Sequence, residues 1–222
     1  MEKDTTILIV DDHPMTVDSY VNLLSGAGIN QNHFIKSYSG QDAFNKINFC
    51  FAQNKAIDLA LLDINIPACE EQKIFSGIDL AKFIRQKFPR CKLVFLTMRS
   101  EPILVDNILK DLSPEGFISK NDIDFEKFPV ICRSIMDGEV FRSETIVNSQ
   151  RELFKKNINW DVYDSQILML IADGVKTINI PNFIPLSMSS VEKRKANIKA
   201  QLINGNGNDK DLVHAAKKLG LI

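Results

Sequence analysis

Residues 58–67 read DLALLDINIP: the apolar run Leu59 to Leu62 ends on the carboxylate of Asp63, and Pro67 breaks the pattern shortly after. Successive apolar positions suit a strand buried on both faces, as in the middle of a parallel sheet. The carboxyl end of such a strand is where open α/β sheets place their ligand sites. Asp63 therefore has two readings, a carboxylate facing a cleft or a residue that only starts a turn. Its neighbours in the sheet decide between them.

Working outward, Ile7 to Val10 is a second apolar run, and it stops at Asp11-Asp12-His13-Pro14. Pro14 suits the first turn of a helix, and Val17, Tyr20, Val21 and Leu24 follow at helical spacing before Gly26 and Gly28. Phe34 and Ile35 give a weak strand, and Ser39 can cap a helix whose Ala43, Phe44 and Ile47 share a face. Beyond Pro67 the stretch 68–76 is irregular; Gly77 then opens a helix with Leu80, Ala81, Ile84 and Phe88 inward. Lys92 to Leu96 predicts a strand ending on Thr97, Pro102 to Leu112 a helix, Gly116 to Ser119 a strand ending on Lys120, and Asp124 to Asp137 a helix closed by Gly138. Strands and helices alternate five times. This predicts a doubly wound α/β domain with a five-stranded parallel sheet over residues 1–138.

In such a sheet all strands end along one edge, so Asp11, Asp12, Asp63, Thr97 and Lys120 can converge on one crevice. Clustered carboxylates repel one another unless a cation holds them, and Mg2+ fits an all-oxygen site of two or three carboxylates and a backbone carbonyl. An ionised Asp63 can attack phosphorus as a nucleophile, with Lys120 and Thr97 stabilising the phosphoryl oxygens. The segments ILIVDDHP, DLALLDINIP, LVFLT and GFISK, in this order, resemble the flavodoxin-like receiver domain of two-component response regulators. The resemblance implies that Asp63 accepts a phosphoryl group from a sensor histidine kinase. It implies that Asp12, Asp63 and the Asn65 main-chain carbonyl bind Mg2+, with Asp11 helping through water. It also makes Phe117 the switch aromatic, although by itself Phe117 reads as plain core. Met98 stands where the family usually has a small residue, and the 68–76 stretch is longer than its usual turn; both predict narrower access to the site. The loop has two further readings, a kinase contact or a simple insertion.

The chain has 222 residues, 45% of them hydrophobic, enough for two cores. Its net charge of -1 divides unevenly: 15 Lys and Arg face 19 Asp and Glu in residues 1–138, and 12 face 9 in the remainder. The basic second part hints at nucleic acid. Four dispersed cysteines without metal-ligand spacing predict buried, reduced thiols. No run approaches the ~20 apolar residues that span a bilayer, and the N-terminus is unlike a signal peptide, which predicts a cytoplasmic protein.

Residues 139–157 read as a linker with a short helix around Gln150 to Lys156, and a second domain covers 158–222. Asp161 can cap a helix carrying Tyr163, Ile167, Leu168, Leu170 and Ile171, Thr177 a short second helix, and Ser187 a third from Met188 to about Leu202. The third places Lys193, Arg194, Lys195 and Lys199 largely outward. Such a face is either a solvated surface or a DNA reader, and the spacing is that of a helix-turn-helix. The stretch LMLIADGVKTINIPNFIPLSMSSVEKRKANIKAQL, with DLVHAAKKLGLI after it, resembles the all-α helix-turn-helix domain of the LuxR and NarL type. Carried over, Ser190, Glu192, Lys193, Arg194, Asn197 and Lys199 lie at recognition-helix contact positions, and Lys176 and Thr177 lie near the DNA backbone. The last helix, Asp209 to Leu219, matches an element that packs the domain and dimerises it. Glu192 replaces a common Lys, and Pro181 a common Ala.

These readings predict a response regulator that controls transcription through phosphorylation-dependent binding to promoter DNA as a homodimer, without being a turnover enzyme. One alternative is a regulator with a degenerate receiver, binding DNA or protein independently of phosphate. A phosphatase or phosphotransferase is the other, disfavoured because the position two after Asp63 is Asn65 and offers no general acid.

Overall fold

The computed structural model describes residues 5–28, 33–155, 160–219 and 221–222. The first strand, β1 (Ile7–Val10), is buried along its whole length and leads into α1 (Pro14–Gly26), whose proline occupies the first turn. There follow β2 (Phe34–Ser37), α2 (Gly40–Ala52), β3 (Leu59–Leu62), α3 (Gly77–Lys87) and β4 (Lys92–Thr97). Then come α4 (Pro102–Leu112), β5 (Gly116–Ser119), α5 (Phe128–Met136) and β6 (Phe141–Arg142). The C-terminal part holds α6 (Glu144–Lys155), α7 (Val162–Ala172), α8 (Met188–Ile203) and α9 (Asp209–Lys218). The chain divides into two compact units, residues 1–99 with 112–147, and residues 100–111 with 148–222. Among the described residues no helix is long and apolar enough to cross a membrane.

In the first unit every strand pair is parallel and the order is β2-β1-β3-β4-β5-β6. The alternation of strand side chains sends Ile7, Ile9, Leu59, Leu61, Val94, Leu96 and Ile118 to one face, where they pack with Val17, Tyr20 and Leu24 of α1 and Phe128, Cys132 and Ile135 of α5. The doubly wound α/β class stands, but the sheet has six strands where five are expected. Phe141 N–H donates to Glu115 O at 2.8 Å and Ser143 N–H to Phe117 O at 3.1 Å, which adds β6 to the edge of β5. Two residues are too few to show a period, so β6 is silent in the sequence. The interval 139–157 accordingly contains β6 and α6, a longer helix than the one expected from Gln150; Lys156 lies outside the described residues. α5 starts at Phe128, four residues later than expected, because Asp124 holds the preceding turn through Glu126 N–H and Lys127 N–H. The 68–76 stretch is an ordered miniature hairpin, with Cys69 and Ile74 paired in an antiparallel bridge and both buried.

The second unit is built on Trp160, Ile167, Leu168, Ile171, Ile180, Ile184, Val191, Ile198, Leu212 and Ala216, and Ile103 joins this cluster. Asp161 caps α7 and Asn208 caps α9, each in a reciprocal capping box, and Ser187 caps α8. Thr177 caps nothing: the short second helix is a 3-10 turn, Thr177–Asn182, preceded by Lys176. Pro181 lies inside it and lacks the N–H that an α-helical ladder needs.

Candidate phosphoryl-acceptor site and nucleic-acid interface

Strand ends β1, β3 and β5 supply the centre of the first site. Asp63, buried, follows β3, and its Oδ1 accepts from the main-chain N–H of Asn65 at 3.2 Å. Lys120, the first residue after β5, sends Nζ to Asp63 Oδ2 at 2.5 Å and to Asp11 Oδ2 at 2.6 Å. These are charge-assisted contacts in a half-buried setting, where they are screened less than on the surface. Burial pulls the Lys120 ammonium down, but Asp11 and Asp63 outweigh it and hold its pKa above the ordinary range. The Tyr20 phenol on α1 is pushed up, first by burial and then by the charges of Asp11 and Asp63, so it stays protonated.

Asp12 is more exposed than Asp11. His13 completes a group that the sequence reading did not single out: its Nδ1 lies 2.8 Å from Asp12 Oδ1 and 3.2 Å from Asp11 Oδ1. Asp11, Asp12 and His13 offer ligand atoms within 4.8 Å of one another. Two carboxylates and Asp63 nearby give the hard oxygen donors that Mg2+ takes, so the residues fit that ion. The run Asp-Asp-His was the available signal for His13.

Thr97 ends β4 fully buried, and its Oγ1 accepts from Arg99 N–H at 3.0 Å. Phe117, on β5, is also fully buried, its ring 5.7 Å from that of Phe95. Met98 turns outward and is 60% exposed. Beneath Asp63, Gly77 brings the start of α3 against the strand end, with Gly77 N–H donating to Ile64 O at 2.9 Å. The sequence marks Gly77 as a helix start, and no residue type signals this closeness.

In the second unit Lys193 of α8 is exposed as expected, but Arg194, Lys195 and Lys199 do not point outward. Arg194 bonds Asp161 and Asp164 at 2.7 to 2.9 Å, and its guanidinium lies 5.6 Å from the Tyr163 ring centre. Lys195 reaches Thr177 Oγ1 at 2.6 Å and Asp209 at 2.7 Å, and Lys199 reaches Gly207 O at 3.1 Å and Asp209 at 3.4 Å. The caps of α7 and α9 concentrate carboxylates within reach of these long side chains, which fold back along the helix. Ser190 Oγ meets Ser187 Oγ at 2.9 Å. The exposed residues of α8 are Ser189, Glu192, Lys193, Ala196, Asn197, Ala200 and Gln201; Lys176 is exposed and Thr177 half-buried.

A parallel α/β sheet whose strand ends gather Asp11, Asp63 and Lys120, followed by a small helical unit, defines the class of receiver proteins. The model of the response regulator receiver domain matches residues 7–128, more than half the chain, and the chain belongs to that family. It is 25% identical over 228 residues to the oxygen regulatory protein NreC of Staphylococcus aureus strain JH9, covering 97% of this chain and 98% of that protein. Among solved structures, RcsB from Salmonella enterica serovar Typhimurium, bound to promoter rprA with the phosphomimetic BeF3-, superposes with a TM-score of 0.70 at 20% identity, covering 97% of this chain and 99% of that one. A complex of the two-component response regulator RcsB with DNA gives 0.60 at 21% identity, covering 97% and 98%. The fold of both units is thus shared with these regulators.

Proposed function

We propose that the chain is a cytoplasmic response regulator whose Asp63 accepts a phosphoryl group from a phosphohistidine of a sensor histidine kinase, and whose second unit binds promoter DNA as a homodimer. The observation that carries this reading is the buried bridge from Lys120 to Asp11 and Asp63. A carboxylate oxygen of Asp63 attacks phosphorus, the P–N bond to the donor imidazole breaks with its electron pair going to that nitrogen, and an acyl phosphate forms. Lys120 then pairs with a phosphoryl oxygen, and the Thr97 hydroxyl donates to another. Asp11, Asp12 and Asp63, with the Asn65 main-chain carbonyl, would hold Mg2+, which supplies charge neutralisation between carboxylates and phosphoryl oxygens. Phe117 acts as the switch aromatic, and the phosphorylated receiver shifts the equilibrium of the output unit. With Asn65 in place of a second acid, Asp63 is a phosphoryl acceptor with slow autodephosphorylation and no steady turnover.

Incubation with a small acyl phosphate and Mg2+ is expected to add the mass of one phosphoryl group to the wild type and none to Asp63→Asn. DNA affinity should change with the donor in the wild type only. Equal DNA affinity with and without the donor would favour the phosphate-independent regulator, and sustained phosphate release would favour a hydrolase.

A further inference from the structure

The C-terminal ends of α2 and α3 carry a surface that the phosphoryl-acceptor chemistry does not use. In a parallel sheet the connecting helices run back against the strands, so these ends lie at the edge opposite Asp63. Between the two helices the rings of Phe44 and Phe83 stack at 4.9 Å and those of Phe51 and Phe88 meet edge-on at 6.0 Å. Lys87 Nζ sits 4.5 Å from the Phe51 ring centre and 5.7 Å from that of Phe83. Phe49 and Phe51, in the last turn of α2, are 65% and 48% exposed. Two positions apart on a helix, they point to opposite flanks.

Residues 43–57 and 80–92 hold seven Lys and Arg and no Asp or Glu, although residues 1–138 are net negative. The acids that border these stretches are engaged: Asp42 by Lys46, Asp58 by Thr6 N–H and Asp79 by Phe75 N–H. Arg85 and Lys92 are drawn to Glu115. Lys55, Lys87 and Arg90 remain, and among the described residues none has a carboxylate within ion-pair distance. The helix dipole accounts for cations at helix C-termini, but not for exposed aromatic rings among them. Apolar rings beside cations, with no acid between, complement an anionic headgroup layer, where rings enter the acyl boundary and cations meet phosphates. Lys87 over Phe51 and Phe83, and Phe44 stacked on Phe83, leave less ring face for a nucleobase. A partner helix laid along the α2–α3 side would meet Phe51 and not Phe49, whereas a broad planar surface meets both.

We propose that this end of the first unit is a peripheral docking surface for an anionic lipid bilayer. Phe49 and Phe51 enter the headgroup boundary, and Lys55, Lys87 and Arg90 pair with lipid phosphates. Adsorption of this kind needs no spanning helix and does not depend on the reading of Asp63.

The test is flotation of the full-length chain with vesicles of equal parts phosphatidylglycerol and phosphatidylcholine, and with phosphatidylcholine alone. The wild type is expected to float with the anionic vesicles only, and less as salt rises. Lys55→Gln with Arg90→Gln, both exposed, should weaken binding about fivefold per charge removed. Phe49→Ser should weaken it roughly tenfold. Phe49→Trp should retain binding and shift its emission to the blue when anionic vesicles are added, a change the wild type, whose single Trp160 is buried, should lack. Lys217→Gln with Lys218→Gln, exposed lysines of the second unit, should leave flotation unchanged. No flotation of the wild type overturns the proposal, as does an equal loss with Lys217→Gln and Lys218→Gln, which puts the attraction on the second unit. It also falls if Phe49→Ser and the Lys55→Gln, Arg90→Gln variant float as the wild type does. A Phe49→Trp emission that responds to protein concentration or to a single-stranded oligonucleotide, and not to vesicles, overturns it in favour of self-association or nucleic acid.

Discussion

Gly77 and Asp63 touch through the backbone: a Cβ at position 77 would lie 1.9 Å from the carbonyl oxygen of Asp63. The obstacle is main chain, which cannot swing aside as a flexible side chain does. Gly77→Ala must therefore displace either α3 or the strand end that carries Asp63. We expect it to cost about 1–3 kcal/mol, the scale of overpacking, and to slow phosphoryl uptake from an acyl phosphate. Thermal denaturation and intact-mass kinetics measure the two effects. A variant with wild-type values for both contradicts the close packing.

Glu115 joins three elements, accepting from Arg85 of α3 at 2.8 Å and from Leu93 N–H of β4 at 2.9 Å just before β5. Burial pushes its carboxyl up, but Arg85 and the Leu93 N–H outweigh that and hold it below the usual range. A depressed carboxyl stabilises the fold above the unfolded pKa and loses that contribution as pH falls through the folded one. Glu115→Gln should therefore lower stability by roughly 1–3 kcal/mol near neutrality. The gap to the wild type should close as pH drops below about 4, which urea denaturation across pH will reveal.

Arg194 and its neighbour Lys193 should separate cleanly. Arg194→Ala leaves Asp161 and Asp164 without their cation, and a loss of about 1–2 kcal/mol from the second unit is expected. Lys193→Ala removes an exposed side chain and should shift stability by less than about 0.5 kcal/mol. Its effect should instead be a salt slope of DNA binding shallower by about one. Calorimetry and binding titrations over a salt series decide.

Met98 projects past the end of β4 into solvent, so trimming it should not disturb the core. Met98→Ala is expected to leave the melting temperature within about a degree, since exposed substitutions cost little, and to shorten the phosphorylated lifetime several-fold by admitting water to Asp63. An unchanged dephosphorylation rate would show that the side chain does not shield the site.

The sequence made the strand ends legible because apolar runs stop on polar residues that have few other uses there: Asp11, Asp63, Thr97 and Lys120 all mark real strand ends. Lys120 meeting both Asp11 and Asp63 follows from that topology. Contacts set by long separations were not legible. Arg194 reads as an outward cation because its partners Asp161 and Asp164 lie about 30 positions away and are brought in only by the fold. Gly77 reads as a helix start because its neighbour is a backbone oxygen, which leaves no mark in residue types. The 68–76 stretch reads as irregular, although Cys69 and Ile74 pair, since one bridge has no period to detect.

β6 has a practical consequence out of proportion to its two residues. By occupying the outer side of β5 it removes a row of unpaired amide and carbonyl groups that another chain would otherwise adopt as a template. Cutting the protein at Gly138 would uncover that row, and the resulting fragment should self-associate and precipitate, whereas one ending at Val147 should remain monodisperse.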